Sequence, residues 1–330
     1  MHSVVSDPVY LVSFDEMKPE VPKFDVVTSC RLKDLRTLRL AVPRIQLFLP
    51  HNRFVVFTAK VNITHFKKKL GSSIECIDED EVFSDMKLGD LQRQVDLPGF
   101  PKGAGWYFQQ FLKLSYPQIR PEVDRYLIWD ADTVPLRRFH VFGQDGKAFL
   151  TQATIEAAQP PPGVNIDMGT AERMRQATRL HPSYFENFNY LLGETLKPSC
   201  SFIAQHMPIH VPTLRALIKK IEARFPGSNS WPWKIIKNLK GSNSNLFSEY
   251  EFYAHFALLH ASDLHTVRPL LWSRAGRFSC WRSPEAQLRE WGTHLDYVAL
   301  ERWASPWRRS LIRGFNLLPF GIQKKILRQR

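Results

Sequence analysis

Two aspartates one residue apart, Asp130 and Asp132, close the apolar run Tyr126-Leu127-Ile128-Trp129 in the stretch YLIWDADTV. On an extended backbone they point to opposite sides, so one carboxylate can hold a metal ion while the other reaches a water or a sugar hydroxyl. Two very different kinds of enzyme use that spacing. The elements around the pair have to separate them.

The run before Asp130 is β-branched and aromatic with no polar break, which predicts a buried strand with both acids at its C-terminal end. In an open α/β sheet that edge is where ligands bind. Three further strands are expected ahead of it: Phe24 to Val27, which opens on Thr28, Ser29 and Cys30, then Arg53 to Ala59, then a short one within Ser73 to Val82. Leucines at 32, 35 and 38 predict an amphipathic helix that Pro43 interrupts or ends. Strand, helix, strand at this pitch is the pattern of a mostly parallel sheet. A helix from Trp106 to about Tyr116, stopped by Pro117, sits directly ahead of the fourth strand and carries Gln109, Gln110 and Lys113.

Downstream, strands are expected at Phe149 to Thr154 and Phe202 to Ala204, with His206 and His210 after the latter. Thr213 can cap a helix running to Phe225, and Ser248 a helix carrying Glu249, Glu251 and His255. Val4 to Phe14 alternates weakly, as an edge strand would, and Gly241 to Asn245 reads as a polar linker.

The chain has 330 residues, enough for one large α/β domain with appendages. Its four cysteines lie far apart, which points to reduced thiols rather than a zinc knuckle or a disulfide scaffold. No glycine-rich phosphate loop follows any strand, so dehydrogenase and P-loop chemistry are not indicated. The N-terminus lacks signal-peptide features, and no run of apolar residues is long enough to span a bilayer. A net charge of +13 favours anionic partners, although no zinc-finger, RNP or helix-turn-helix pattern points to nucleic acid.

DADTV matches the first motif of haloacid-dehalogenase-type phosphatases, where Asp130 would be the nucleophile and Asp132 the acid/base. Yet the later acidic pair such enzymes need is missing from the sequence, and about 125 residues of α/β chain come first. The other owner of the pattern is the GT-A class of nucleotide-sugar glycosyltransferases. The blocks FDVVTSC, GWYFQQFLKL, WDADT, SFIAQHM and FSEYEFY together resemble a bacterial family of uncharacterised GT-A-like proteins, over roughly Phe24 to His265.

That resemblance implies a GT-A fold: a mostly parallel central sheet flanked by helices, with residues 1–268 as the catalytic domain and a helical, basic, Trp-rich extension over 269–330. It also implies a sugar moved from a nucleotide-sugar donor, a UDP-sugar by class frequency, to a cell-surface glycan or lipid-linked acceptor. Asp130 and Asp132 would hold Mn2+ or Mg2+, with His265 as a further ligand and His260 an alternative. Thr28, Trp106, Gln110, Lys113 and Asp130 would contact the donor, Lys113 offsetting charge on the leaving diphosphate. Glu249, kept ionised by a helix N-terminus, would be the base, with Glu251 second. A catalytically inactive nucleotide-sugar-binding protein is the non-enzymatic alternative.

From Glu301 to Arg330 there are eight Lys and Arg against one acid, interleaved with tryptophans and leucines. Such a segment can lie on an anionic bilayer, placing a cytoplasmic enzyme at the inner face of a membrane beside a lipid-linked acceptor. A packed pair of C-terminal helices with a charged outer face would have the same composition.

Overall fold

The computed structural model describes residues 23–95, 103–154, 156–166, 168–241, 246–274, 278 and 282–301. The expected edge strand at Val4 to Phe14, most of the polar linker and the basic tail beyond Glu301 lie outside these residues. In chain order the first part runs β1 (Asp25–Ser29), α1 (Leu35–Phe48), β2 (Phe54–Thr58), α2 (Ile63–Leu70), β3 (Ile74–Asp78), α3 (Leu88–Val95), α4 (Ala104–Leu114), α5 (Tyr116–Ile119) and β4 (Arg125–Trp129). There follow β5 (Thr133–Pro135), β6 (Ala148–Leu150), α6 (Met168–Thr178), α7 (Pro182–Leu192), β7 (His206–His210), α8 (Val211–Arg224) and α9 (Trp231–Asn238). The last group is α10 (Glu249–His260), β8 (His265–Val267), β9 (Trp272–Ser273), α11 (Pro284–Trp291) and β10 (Tyr297–Ala299).

The central sheet has five strands in the order β3-β2-β1-β4-β7. β1 is parallel to both β2 and β4, and β2 is parallel to β3, whereas β7 returns antiparallel to β4. The mostly parallel sheet flanked by helices expected from the sequence is therefore present. Period-two alternation sends Val26, Val56, Leu127 and Trp129 into one core with α1, and Val27, Val55, Phe57 and Ile128 into another with α4, α8 and α10. Both faces are apolar because both are covered.

Trp129 anchors the first core: it is fully buried, packs on Phe139 with ring centroids 6.3 Å apart, and donates its indole N–H to the Thr133 carbonyl at 2.8 Å. Removing a ring buried this way costs about 3–5 kcal/mol. A three-stranded sheet, β5-β10-β9, lies just after the two aspartates, so part of the chain beyond Arg268 packs on the segment that carries them. Among the described residues no helix is long and apolar enough to cross a membrane.

Several local expectations are corrected. Pro43 does not end α1, which runs on to Phe48. Proline removes the bond to the carbonyl four residues earlier, but that residue, Arg39, is exposed, so water can satisfy it. Pro117 opens α5 instead of terminating a helix, and α4 begins and ends two residues earlier than expected. Phe202 to Ala204 is not a strand; the strand is His206–His210, and His210, not Thr213, precedes the first turn of α8. The earlier strand is confined to Ala148–Leu150.

Candidate active site

β1 has β2 on one side and β4 on the other, so the strand order reverses between β1 and β4, a switch point beside which open α/β sheets bind ligands at their carboxyl ends. Asp130 and Asp132 follow β4 at that edge. The turn that carries them is fixed through its backbone. Asp130 N–H donates to the Gln205 carbonyl at 3.0 Å, Thr133 N–H to the Asp130 carbonyl at 3.0 Å, and Leu300 N–H to the Asp132 carbonyl at 2.8 Å. With both neighbours tied down, the two side chains have little freedom to drift.

Asp130 meets Lys113 from α4. The ammonium lies 2.8 Å from Asp130 Oδ1 and 2.5 Å from Glu249 Oε1, and Lys113 is only 1% exposed. Burial works against its charge, but the two carboxylates outweigh that and hold its pKa above the ordinary lysine value. The ring of Tyr250 lies under the same ammonium, 5.0 Å from its centroid. Burial, with Asp130 and Glu249 nearby, pushes the Tyr250 phenol well up, so it stays protonated. Burial also raises Glu249, which is 4% exposed, while Lys113 pulls it back.

Asp132 is partly accessible and stands in the opposite situation. Burial, then Glu301, Asp130 and Asp34, push its carboxyl up to about 8, and among the described residues no cation is paired with it. A carboxylate surrounded by other acids and lacking a counter-charge is what a hard divalent cation satisfies, so the donor set fits Mn2+ or Mg2+. Among the described residues no three His, Cys, Asp or Glu gather closely enough to hold an ion by themselves. Mg2+ commonly accepts one or two carboxylates and completes its shell with water and substrate phosphates.

α10 supplies the second carboxylate on Lys113. Its first amides are satisfied by side chains: Ser248 Oγ accepts from Glu251 N–H, as expected, and Gln110 Oε1 accepts from Glu249 N–H at 2.9 Å. Glu251 faces elsewhere. It is 1% exposed, with Oε1 accepting from Ser201 Oγ at 2.6 Å and Oε2 from Phe202 N–H at 3.1 Å. His255 Nε2 lies 3.3 Å from the same Oε2.

These positions correct several expected roles. Gln110 is fully buried and its amide is spent on Glu249 N–H and the Trp106 carbonyl, so it positions α10 instead of touching a donor. Glu251 is an anchor for residues 201–202, with each of its oxygens engaged by that segment. Lys113 is sealed between two carboxylates, 1% exposed, and pairs with acids where a phosphate contact was expected. Thr28 is fully buried at the end of β1, closed to a ligand. His265 does not join the aspartates: Nε2 pairs with the Tyr253 hydroxyl at 2.9 Å and Nδ1 with the Ala261 carbonyl at 2.8 Å. His260 pairs with Glu194 at 2.9 Å. Trp106 is partly exposed at the start of α4, its ring edge-on to Tyr107.

Other residues of the site were not marked by the sequence. Tyr250 sat inside the FSEYE block without a role, and Glu301 was one acid in a basic stretch. Arg31, exposed just past β1, lies so close over Gly105 that an added Cβ there would fall 1.4 Å from its Nη2. Only a residue without a side chain lets α4 start under that guanidinium.

His206 has a packing role. It is buried among Trp129, Phe139 and Tyr297, and burial lowers its pKa to about 4. A folded value below the ordinary 6.5 means its contribution to stability is complete above pH 6.5 and is lost as pH falls through 4. The full loss is of order 3 kcal/mol. Urea unfolding at pH 7 and pH 4.5 is expected to show most of that loss, and a His206→Gln variant a shallower decline.

No curated protein sequence matches the chain. Similar solved structures include mouse xyloside xylosyltransferase 1 in its apo form, 11% identical with a TM-score of 0.44 over 86% of this chain and 99% of that one. The WbbM bifunctional glycosyltransferase is 12% identical at a TM-score of 0.40, over 98% of this chain and 53% of that one. An active-site mutant of LgtC is 13% identical at a TM-score of 0.37, over 90% of this chain and 98% of that one. One family model matches residues 45–268, more than half of the chain, and on that match the protein belongs to DUF6492, a family of unknown function.

Proposed function

We propose that the chain is a metal-dependent glycosyltransferase of the GT-A type. It would move a sugar from a nucleotide-sugar donor, a UDP-sugar in the first instance, to a cell-surface glycan or lipid-linked acceptor. The observation that supports this most is the placement of Asp130 and Asp132 at the carboxyl end of β4, beside the point where the strand order reverses between β1 and β4.

Asp132, with the oxygen of Asp130 not bonded to Lys113, would hold Mn2+ or Mg2+. When bound, that ion neutralises charge on the departing nucleoside diphosphate. Lys113 holds Asp130 and Glu249 in fixed relation, which keeps the donor side and the acceptor side of the site in register. Glu249, raised in basicity by burial, takes the proton of the acceptor hydroxyl at its carboxylate. Tyr250 stays protonated beside Asp130.

Protein supplied with UDP- and GDP-sugars and Mn2+ is expected to release the nucleoside diphosphate. Liberation of inorganic phosphate from phosphomonoesters, with no nucleotide released, would instead favour a phosphatase.

The basic stretch 301–330 is the proposed contact with an anionic membrane at the cytoplasmic face. At about 1 kcal/mol for each Lys or Arg near such a surface, deleting 306–330 should abolish co-sedimentation with phosphatidylserine vesicles. Equal sedimentation of the shortened and full chains would remove the membrane from the proposal.

A further inference from the structure

Gln205 is the one non-glycine residue with positive φ among those described, at +67°. A side chain in that region is costly, and positions of this kind persist where the surroundings over-determine them, as they do around binding and catalytic groups. The surroundings here do so residue by residue. Ser201 and Phe202 are held by Glu251, the Ile203 carbonyl by Arg274, and the Ala204 carbonyl by the Tyr297 hydroxyl at 2.8 Å. Gln205 gives its own carbonyl to Asp130 N–H, and His206 is enclosed by aromatic rings.

The side-chain amide of Gln205 breaks this pattern. The residue is 7% exposed, and among the described residues nothing hydrogen-bonds to its amide, which keeps part of that exposure. An amide that meets solvent and has no protein partner is free to take up the hydrogen bonds of a ligand. The network is thus arranged to hold a strained backbone, hydrogen-bonded directly to the Asp130 N–H, and what that backbone presents is an accessible donor and acceptor.

We propose that Gln205 contacts the substrate, its amide donating to one hydroxyl of the sugar and accepting from another. This rests on the glycosyltransferase reading above and adds a specificity-determining residue to it. An amide suits vicinal hydroxyls because it offers both polarities from one rigid plane. It carries no charge, so it can select a sugar without competing with Asp130 and Asp132 for the cation.

The test compares wild type with Gln205→Gly, Gln205→Ala and Gln205→Asn in metal-dependent release of UDP from a UDP-sugar, with melting temperature measured alongside. Glycine relieves the backbone strain and deletes the amide, so Gln205→Gly should melt no lower than wild type while losing about tenfold or more in kcat/KM. Gln205→Asn, which tolerates positive φ and keeps an amide, should retain more activity than Gln205→Ala. If wild type turns over and Gln205→Gly matches it, Gln205 has no part in binding and this proposal fails alone. If wild type releases no nucleotide from any sugar donor, the glycosyltransferase reading fails and this proposal with it.

Discussion

Replacing Lys113 by methionine is expected to destabilise the protein by about 3 kcal/mol, because the change leaves the buried Glu249 carboxylate and the partly exposed Asp130 without their shared cation. Lys113 touches both Asp130 and Glu249 and is almost wholly enclosed, so no water can take its place. In a chain of this size the loss corresponds to a melting temperature lower by roughly 4 °C. Adding Glu249→Gln to Lys113→Met should recover part of it, since one of the two orphaned charges is then gone. That recovery is a coupling energy, and a thermal or urea double-mutant cycle measures it. Equal stability of wild type and Lys113→Met would show that the bridge does not hold the site together.

Asp132→Asn is expected to act in the opposite sense, with a large effect on activity and none of that cost in stability. Loss of the ionised oxygen should lower metal-dependent nucleotide release by roughly a thousandfold, on the scale of removing a group that stabilises developing charge. The carboxyl of Asp132 is pushed up to about 8 by burial and neighbouring acids, so the stability it contributes is full below pH 3.8 and is lost as pH rises through 8. Asparagine cannot ionise. Without metal, the variant should therefore be at least as stable as wild type at pH 8.5, and the two should converge at low pH. A variant both inactive and sharply destabilised at that pH would mean that Asp132 serves the fold.

The frame of the molecule was legible because alternating apolar runs and helical leucine spacing report burial directly. β1, β2, β3 and β4 fall where Phe24, Arg53, Ser73 and Tyr126 announced them, and Ser248 caps α10 as its residue type suggested. Position along the chain misled where local composition and tertiary setting disagreed. The apolar trio Phe202-Ile203-Ala204 looked more like a strand than HMPIH, which carries a proline and ends in histidines. Yet β7 lies at the edge of the sheet, where Pro208 can be accommodated.

The division of labour between Glu249 and Glu251 was not legible either. One helical step separates a carboxylate on Lys113 from one that clasps Ser201, and only the packed position of α10 decides which is which. Lys113 shows the same limit in reverse: its residue type suggested a phosphate partner, and its burial gave it two acids. Gln205 sat inside the SFIAQHM block with no role attached to it, because its backbone conformation is imposed by partners far along the chain.

The antiparallel return of β7 and the late arrival of α10 bear on how a newly made chain becomes active. A nascent chain paused on the ribosome before Glu249 would already have its parallel strands, but the Asp132 carbonyl would lack Leu300 N–H, Lys113 would hold a single acid and Phe202 N–H would lack Glu251. Vectorial synthesis therefore delivers the sheet first and completes the surroundings of Asp130 and Asp132 only once α10 and the strand after α11 have emerged.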